Sequence, residues 1–309
     1  MSRQNISFKK LKKLNKNGQT LKNVDFSQCC TFKCGGKVDI LLEITTLDNF
    51  FKVIFYLEEI EADYFVLGAG SNILCSDKGY HGIVIRLGGD LNRIEYDGEI
   101  LECGAGVKLL SAYMYARGLG LQGLEDGAGI PATIGGAVYM NAGAFDFEMK
   151  NFVDYVVAYS NGKIRYYSKK DCCFAYRDSV FQHEKCIILR VGLKLTAGDK
   201  EEIHKRYLEI TSRRKASQPL DHPSAGCVFR REDGVVVSKL LDDCGVKGLT
   251  IGGAQVSNKH ANFIINIGGA TAQNIYDLIV VVKKKIKDKT NIELHTEIKF
   301  LGDFDEDTR

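Results

Sequence analysis

Between residues 123 and 144 the chain reads Gly-Leu-Glu-Asp-Gly-Ala-Gly-Ile-Pro-Ala-Thr-Ile-Gly-Gly-Ala-Val-Tyr-Met-Asn-Ala-Gly-Ala, six glycines set among mostly small side chains. Glycine at this density gives up the apolar volume a packed core needs and loses the most backbone entropy on folding. Such a stretch is either a long irregular loop or bare backbone laid against a flat ring system, and these residues alone leave both readings open. A second cluster, Leu67-Gly68-Ala69-Gly70-Ser71-Asn72, directly follows an apolar run. Glycines there let successive amides turn toward one point and hold phosphate oxygens as a nest. The third glycine and the following acidic residue of a dinucleotide fingerprint are missing, which excludes that motif.

Composition narrows the class. With 309 residues, 45% of them hydrophobic, the chain can bury sizeable cores and is long enough for two or three domains. That excludes a disordered chain, a collagen-like fibre and a small disulfide scaffold. Lys+Arg 42 against Asp+Glu 39 is close to balance and gives no warrant for a nucleic-acid partner. The ten cysteines form no pair of CxxC knuckles, and neighbours such as Cys29 and Cys30 suit neither a disulfide framework nor a zinc site. Reduced thiols, no metal and a cytoplasmic location are the expectation. The basic N-terminus, with Arg3, Lys9, Lys10, Lys12, Lys13 and Lys16, leads into no apolar signal core, and no run reaches the ~18 apolar residues of a membrane span. Residues 1–24 are therefore expected to be a flexible polar arm.

Periodicity organises the rest. Val38–Ile44 reads as a strand, and Phe50, Val53, Ile54, Leu57 and Ile60 recur at helical spacing behind Asp48 as N-cap. Strands at 64–67 and 83–87 complete an α+β unit. From Arg93 the character is strand-rich. One hairpin turns at Asp97-Gly98, with positive φ expected at both positions, and another turns at Asn161-Gly162; a long apolar strand follows at 186–195. Near Gly198-Asp199 a charged helix begins, with Ile203, Tyr207 and Ile210 on its apolar face. The last third carries a strand at 263–267, a helix behind a Thr271 cap with its lysines on a solvated face, and a strand over 292–300.

Further short motifs accompany the glycine segments in order: Thr31-Phe32-Lys33-Cys34-Gly35-Gly36, Tyr176-Arg177-Asp178-Ser179-Val180-Phe181, Pro223-Ser224-Ala225-Gly226-Cys227-Val228-Phe229, Gly252-Gly253-Ala254-Gln255 and His295-Thr296-Glu297. Over residues 31–302 this series resembles the UDP-N-acetylenolpyruvoylglucosamine reductase family. The resemblance implies an α+β fold, a two-subdomain FAD-binding architecture of the PCMH/vanillyl-alcohol-oxidase type with a C-terminal α/β substrate-binding domain. Placed on this chain, the subdomains are 25–92 and 93–197 and the substrate domain is 198–305. It also implies non-covalent FAD, NADPH and the UDP-N-acetylglucosamine enolpyruvyl ether as co-substrates, a role in peptidoglycan precursor synthesis, and a monomer that touches neither membrane nor nucleic acid. The short 231–238 connection is similar to the smaller subgroup, which lacks a tyrosine-bearing loop.

By the same resemblance, Gly68, Ala69, Gly70, Ser71, Asn72, Gly129, Ile130, Thr133, Gly135, Gly136, Asn141 and Gly143 bind the cofactor. Lys215, Arg231 and His260 bind the diphosphate-bearing substrates. Arg177 holds the substrate carboxylate, for which a guanidinium fork is suited; read without the family, it is a turn residue paired with Asp178. Glu297 assists the enolate-like charge, and strand alternation through Ile292, Leu294, Ile298 and Phe300 places it away from the core. Cys227 stands where members of the family commonly carry serine as proton donor; a thiol can donate too, with a reference pKa of ~8.5. Ala132 and Arg231-Glu232 are lesser departures. His81 is read as a turn residue and not a flavin tether. Two rivals remain: an oxygen-using oxidase on the same scaffold, and a nucleotide-sugar binding protein without catalysis.

Overall fold

The computed structural model describes residues 6–232 and 234–305. Two compact units emerge, one formed by Met1–Lys22, Ile40–Ala69 and Gly82–Ser212, the other by Asn23–Asp39, Gly70–His81 and Arg213–Arg309. The chain thus enters the second unit twice before its C-terminal third.

In the first unit a five-stranded antiparallel sheet runs in the order Lys163–Ser168, Val153–Ser160, Cys186–Lys194, Ile100–Gly104, Ile94–Tyr96. Its hairpins follow from turn chemistry. Asn161 and Gly162 both take positive φ (51° and 78°), the geometry that matches strand twist. The Asp97 turn departs from the sequence reading, because only Gly98 has positive φ (100°). Asp97 instead folds its carboxylate back onto the amides of Glu99 and Ile100 at 2.9 and 2.7 Å, an Asx turn.

Helix Leu47–Glu59 buries Phe50, Val53, Ile54 and Leu57 completely. Its N-cap is Thr46 rather than Asp48, since the Thr46 hydroxyl accepts from the Asn49 amide while Asp48 lies in the first turn. Helix Leu109–Leu119 ends on Gly120 at φ 73°, a left-handed cap. The expected N-terminal arm is also corrected: Phe8–Leu14 is a helix capped by Ser7, followed by a strand at Gln19–Asp25. Leu11 is fully buried there, an apolar position that the surrounding lysines obscured. Residues 1–5 of that arm lie outside the described residues.

In the second unit an antiparallel sheet runs Ser224–Cys227, Phe263–Asn266, Ala254–Val256, Thr250–Ile251. Helix Ala272–Thr290 starts with a full capping box between Thr271 and Asn274 and buries Ile275, Leu278, Ile279, Val282 and Ile286. The expected strand over 292–300 shrinks to Lys299–Leu301, which pairs in parallel with Ile73–Cys75. Leu294 and Ile298 are buried as the alternation requires, but Phe300 is 38% exposed and meets Tyr276 and Phe304 at the surface. All ten cysteines are free thiols. No helix among the described residues is long and apolar enough to cross a membrane.

Candidate active site

In the first unit the glycine-rich segment is more ordered than a loop. Thr133 caps a short helix, Ile134–Tyr139, by accepting from the Gly136 amide at 3.2 Å. The amides of Ile134 and Gly135 donate to Val107 and Ala105, both at 2.8 Å, so this helix start is already satisfied by protein. Gly135 is glycine because a Cβ would lie 2.8 Å from that of Ala105. Arg206 reaches the same segment with a bidentate pair to Asp126 at 2.6 and 2.9 Å.

The end of the segment shapes the Arg177 loop. Asn141 is fully buried at φ 41°; its amide donates to Glu148 at 2.8 Å and to the Ala175 carbonyl at 2.7 Å, while its oxygen accepts from the Lys150 amide at 3.0 Å. Arg177 itself takes φ 53°, donates to the Gly143 carbonyl and lies 5.1 Å over the Tyr176 ring. A non-glycine residue in this region stores strain that the surrounding contacts must hold. Asp178 bonds to His183 at 2.9 Å and accepts from the Ser179 amide at 2.9 Å.

The loop Gly68–Asn72 follows the strand Tyr64–Val66 as a run of amides that donate to no protein oxygen among the described residues. Gly68, Ala69, Ser71 and Asn72 are half-buried and Gly70 is buried, so their donors call for an acceptor from elsewhere. Successive backbone N–H groups that turn toward one point form a nest for an anion such as a diphosphate. Gly70 must be glycine: φ is 66°, and a Cβ would lie 2.2 Å from the Cys29 carbonyl oxygen.

In the second unit the structure brings Cys227 and Glu297 onto adjoining backbone. The Glu297 amide donates to the Val228 carbonyl at 2.7 Å, and Phe229 bridges Thr296. Asn72 joins from the glycine loop, donating through its side chain to the Glu297 carbonyl at 3.1 Å and accepting from the Lys299 amide at 2.9 Å. Cys227 is half-buried and pairs with Phe263 after a register shift that begins at Ser224. Gly226 makes that shift possible at φ 79°, and a bulge at this point re-aims the next side chain. Asn262 fixes the far side, exchanging two 2.9 Å bonds with the Phe229 backbone.

His260 is half-buried with its ring against Phe263, and burial pushes its pKa down. Its Nδ1 accepts from the Asn262 amide at 3.3 Å, so it is a neutral imidazole whose Nε2–H is the donor on offer. Lys215 is exposed, and its carbonyl accepts from Lys259. Arg231, also exposed, lines an open cavity of about 390 Å³ with Arg230, Glu232, Lys283, His295 and Thr296. His81 lies exposed beside Asp39.

Residues 38–165 match the model for an FAD binding domain, and residues 218–301 match the model for the UDP-N-acetylenolpyruvoylglucosamine reductase C-terminal domain. Over 299 residues the chain is 40% identical to the UDP-N-acetylenolpyruvoylglucosamine reductase of Caldanaerobacter subterraneus subsp. tengcongensis, an alignment covering 96% of this chain and 99% of that one. The chain belongs to this reductase family. The reductase of Heliobacterium modesticaldum is 41% identical, with 93% of this chain and 92% of that one covered. Among solved structures, UDP-N-acetylenolpyruvylglucosamine reductase from Thermus caldophilus superposes with a TM-score of 0.80 at 34% identity, covering 93% of this chain and 99% of that one. Both glycine segments fall inside the FAD-binding match; Cys227, Arg231, His260 and Glu297 fall inside the reductase match.

The sequence reading passed over one residue here. Arg214 is only 7% exposed, one helical turn beyond Ile210 on the apolar stripe of Lys200–Ser217. A charged residue continuing a buried stripe was the signal.

Proposed function

We propose that this protein reduces UDP-N-acetylenolpyruvoylglucosamine to UDP-N-acetylmuramate with NADPH, using a non-covalent FAD, in peptidoglycan precursor synthesis. When bound, FAD would supply the hydride chemistry that links NADPH oxidation to reduction of the enol ether. Gly68–Asn72 would hold its diphosphate through the run of amides that lack a protein acceptor, and the backbone of Gly129, Ile130, Thr133, Gly135 and Gly136 would lie against the rest of the cofactor. Asn141 and Gly143 serve the same site by shaping the loop that presents Arg177.

Arg177 binds the substrate carboxylate, beside which negative charge grows as hydride arrives, so its attraction is strongest in the transition state. Cys227 gives its thiol proton to the neighbouring carbon. Glu297 stands beside that event and stabilises the enolate-like charge through hydrogen bonding. His260 donates Nε2–H to phosphate oxygens as a neutral group, with Lys215 and Arg231 supplying positive charge. The enzyme works as a monomer in the cytoplasm, where it supports cell shape and division.

Membership of the reductase family carries this reading, and the joining of Cys227 to Glu297 through the Val228 carbonyl supports it. Steady-state NADPH oxidation, measured with and without the enol ether, tests it. Turnover should require the enol ether, and oxygen-dependent oxidation of equal rate without it would point to an oxidase.

A further inference from the structure

Arg177 occupies the second central position of a tight turn. The Ala175 amide donates to the Asp178 carbonyl at 3.1 Å and the Asp178 amide donates back to the Ala175 carbonyl at 3.3 Å, so Tyr176 and Arg177 form the tip. At φ 53° Arg177 holds a left-handed backbone, which at this position usually belongs to glycine or asparagine. Released from its surroundings, an arginine there would relax toward negative φ and carry its side chain away.

Gln182 braces this turn. Its half-buried side-chain amide donates to the Arg177 carbonyl at 2.9 Å and to the Tyr139 carbonyl at 3.0 Å. The direction of the Arg177 carbonyl is set by ψ, so a bond to that oxygen restrains the torsion next to the strained φ. Tyr139 ends helix Ile134–Tyr139, where the last carbonyls have no partner within the helix. The buried Ser179 hydroxyl donates to the same Tyr139 carbonyl at 2.7 Å. The Gln182 backbone is fixed in turn, its amide donating to the Ser179 carbonyl at 3.0 Å. One side chain thus ties the Arg177 backbone to the helix that continues the glycine segment, while the Arg177 guanidinium is tied to the Gly143 carbonyl further along it.

We infer that Gln182 is a positioning residue that holds the left-handed turn from which Arg177 projects, by pinning the Arg177 and Tyr139 carbonyls to one amide. The catalytic consequence rests on the carboxylate role proposed for Arg177; the brace itself does not. A primary amide has two N–H donors on one nitrogen and can serve both carbonyls, whereas an ionised glutamate could only accept and would repel them. A guanidinium misplaced by an ångström loses much of its effect on a growing charge. Flavin reduction by NADPH develops no charge at the enol ether and should not feel the brace.

Two variants test this in the FAD-loaded enzyme. Gln182→Met keeps the length and removes both donors, and Gln182→Lys returns donors on an ammonium of similar reach. Followed by mass spectrometry, hydrogen exchange of the Ala175 and Asp178 amides should quicken roughly tenfold in Gln182→Met. Exchange along Cys186–Lys194 should stay unchanged, and Gln182→Lys should stay near wild type at both places. Unchanged exchange at the turn overturns the brace, and so does equal quickening in the strand, which would report general loosening. In stopped flow, Gln182→Met should leave flavin reduction by NADPH largely intact and slow reoxidation by the enol ether ~10–10²-fold, with Gln182→Lys recovering most of the loss. Added to Arg177→Ala, Gln182→Met should slow reoxidation no further, because it acts through Arg177; an additional loss would overturn that route. Should Arg177→Ala itself leave reoxidation intact, the carboxylate role fails, and the exchange measurement still decides the brace.

Discussion

Asn141→Ala tests how the Arg177 loop is held. The side chain is fully buried and makes three bonds, to Glu148, to the Ala175 carbonyl and from the Lys150 amide. Truncation leaves the Lys150 N–H without a partner, at ~1–3 kcal/mol, whereas the Ala175 C=O keeps the Asp178 amide at 3.3 Å and loses less. Glu148 keeps the Lys150 ammonium at 2.9 Å and loses less. Alanine at φ 41° adds about 1 kcal/mol of left-handed strain that asparagine tolerates better. The sum is ~2–4 kcal/mol, centred near ~3 kcal/mol. For a unit of this size ~3 kcal/mol corresponds to a fall of roughly 6–12 °C in unfolding temperature. Calorimetry of the FAD-loaded enzyme should show that fall, and Asn141→Gly should recover the strain part alone. A fall under ~2 °C, with FAD release increased instead, would show that Asn141 acts on the cofactor and does not hold the loop.

Three further outcomes separate the proposed roles. Arg177→Ala should leave flavin reduction by NADPH largely intact and slow reoxidation by the enol ether ~10²–10³-fold; equal losses in both half-reactions under stopped flow would reassign Arg177 to NADPH or to the loop's own stability. Cys227→Ser should retain substantial turnover while Cys227→Ala blocks it after flavin reduction, and near-normal turnover by the alanine variant would reduce Cys227 to a packing residue. Burial holds the folded-state pKa of His260 below the ~6.5 of the unfolded chain, so as pH falls through 6.5 the unfolded state binds the proton first and stability drops until the folded pKa is passed. His260→Gln should flatten that part of the unfolding temperature against pH, and an unchanged slope would assign it to other groups.

Most strands and long helices were legible because burial imposes periodicity: Phe50 to Leu57 and Ile275 to Ile286 occupy the faces their spacing describes. Helix Ile134–Tyr139 was hidden because its glycines carry little apolar signal, and its order comes from the Thr133 cap and from long-range amide bonds to Ala105 and Val107. The strand expected over 292–300 failed for a different reason. Leu294 and Ile298 do alternate inward, yet before Lys299 that segment's partners are a single bridge at Thr296 and isolated bonds rather than a ladder. Motif order singled out Cys227 and Glu297 as candidates, but only the folded chain shows them on adjoining backbone, with Asn72 bonded to the Glu297 backbone across a long sequence separation. Arg214 escaped because a single arginine within a charged helix looks solvated until its exposure is known.

The central claim is best tested by anaerobic single-turnover reaction of the NADPH-reduced enzyme with UDP-N-acetylenolpyruvoylglucosamine, watching the flavin absorbance and analysing the sugar product in deuterated water. The account predicts rapid flavin reoxidation coupled one-to-one to UDP-N-acetylmuramate, with deuterium incorporated at the carbon protonated by the acid. Reduced flavin that persists with the enol ether present, or a protein that binds no FAD at all, would contradict it.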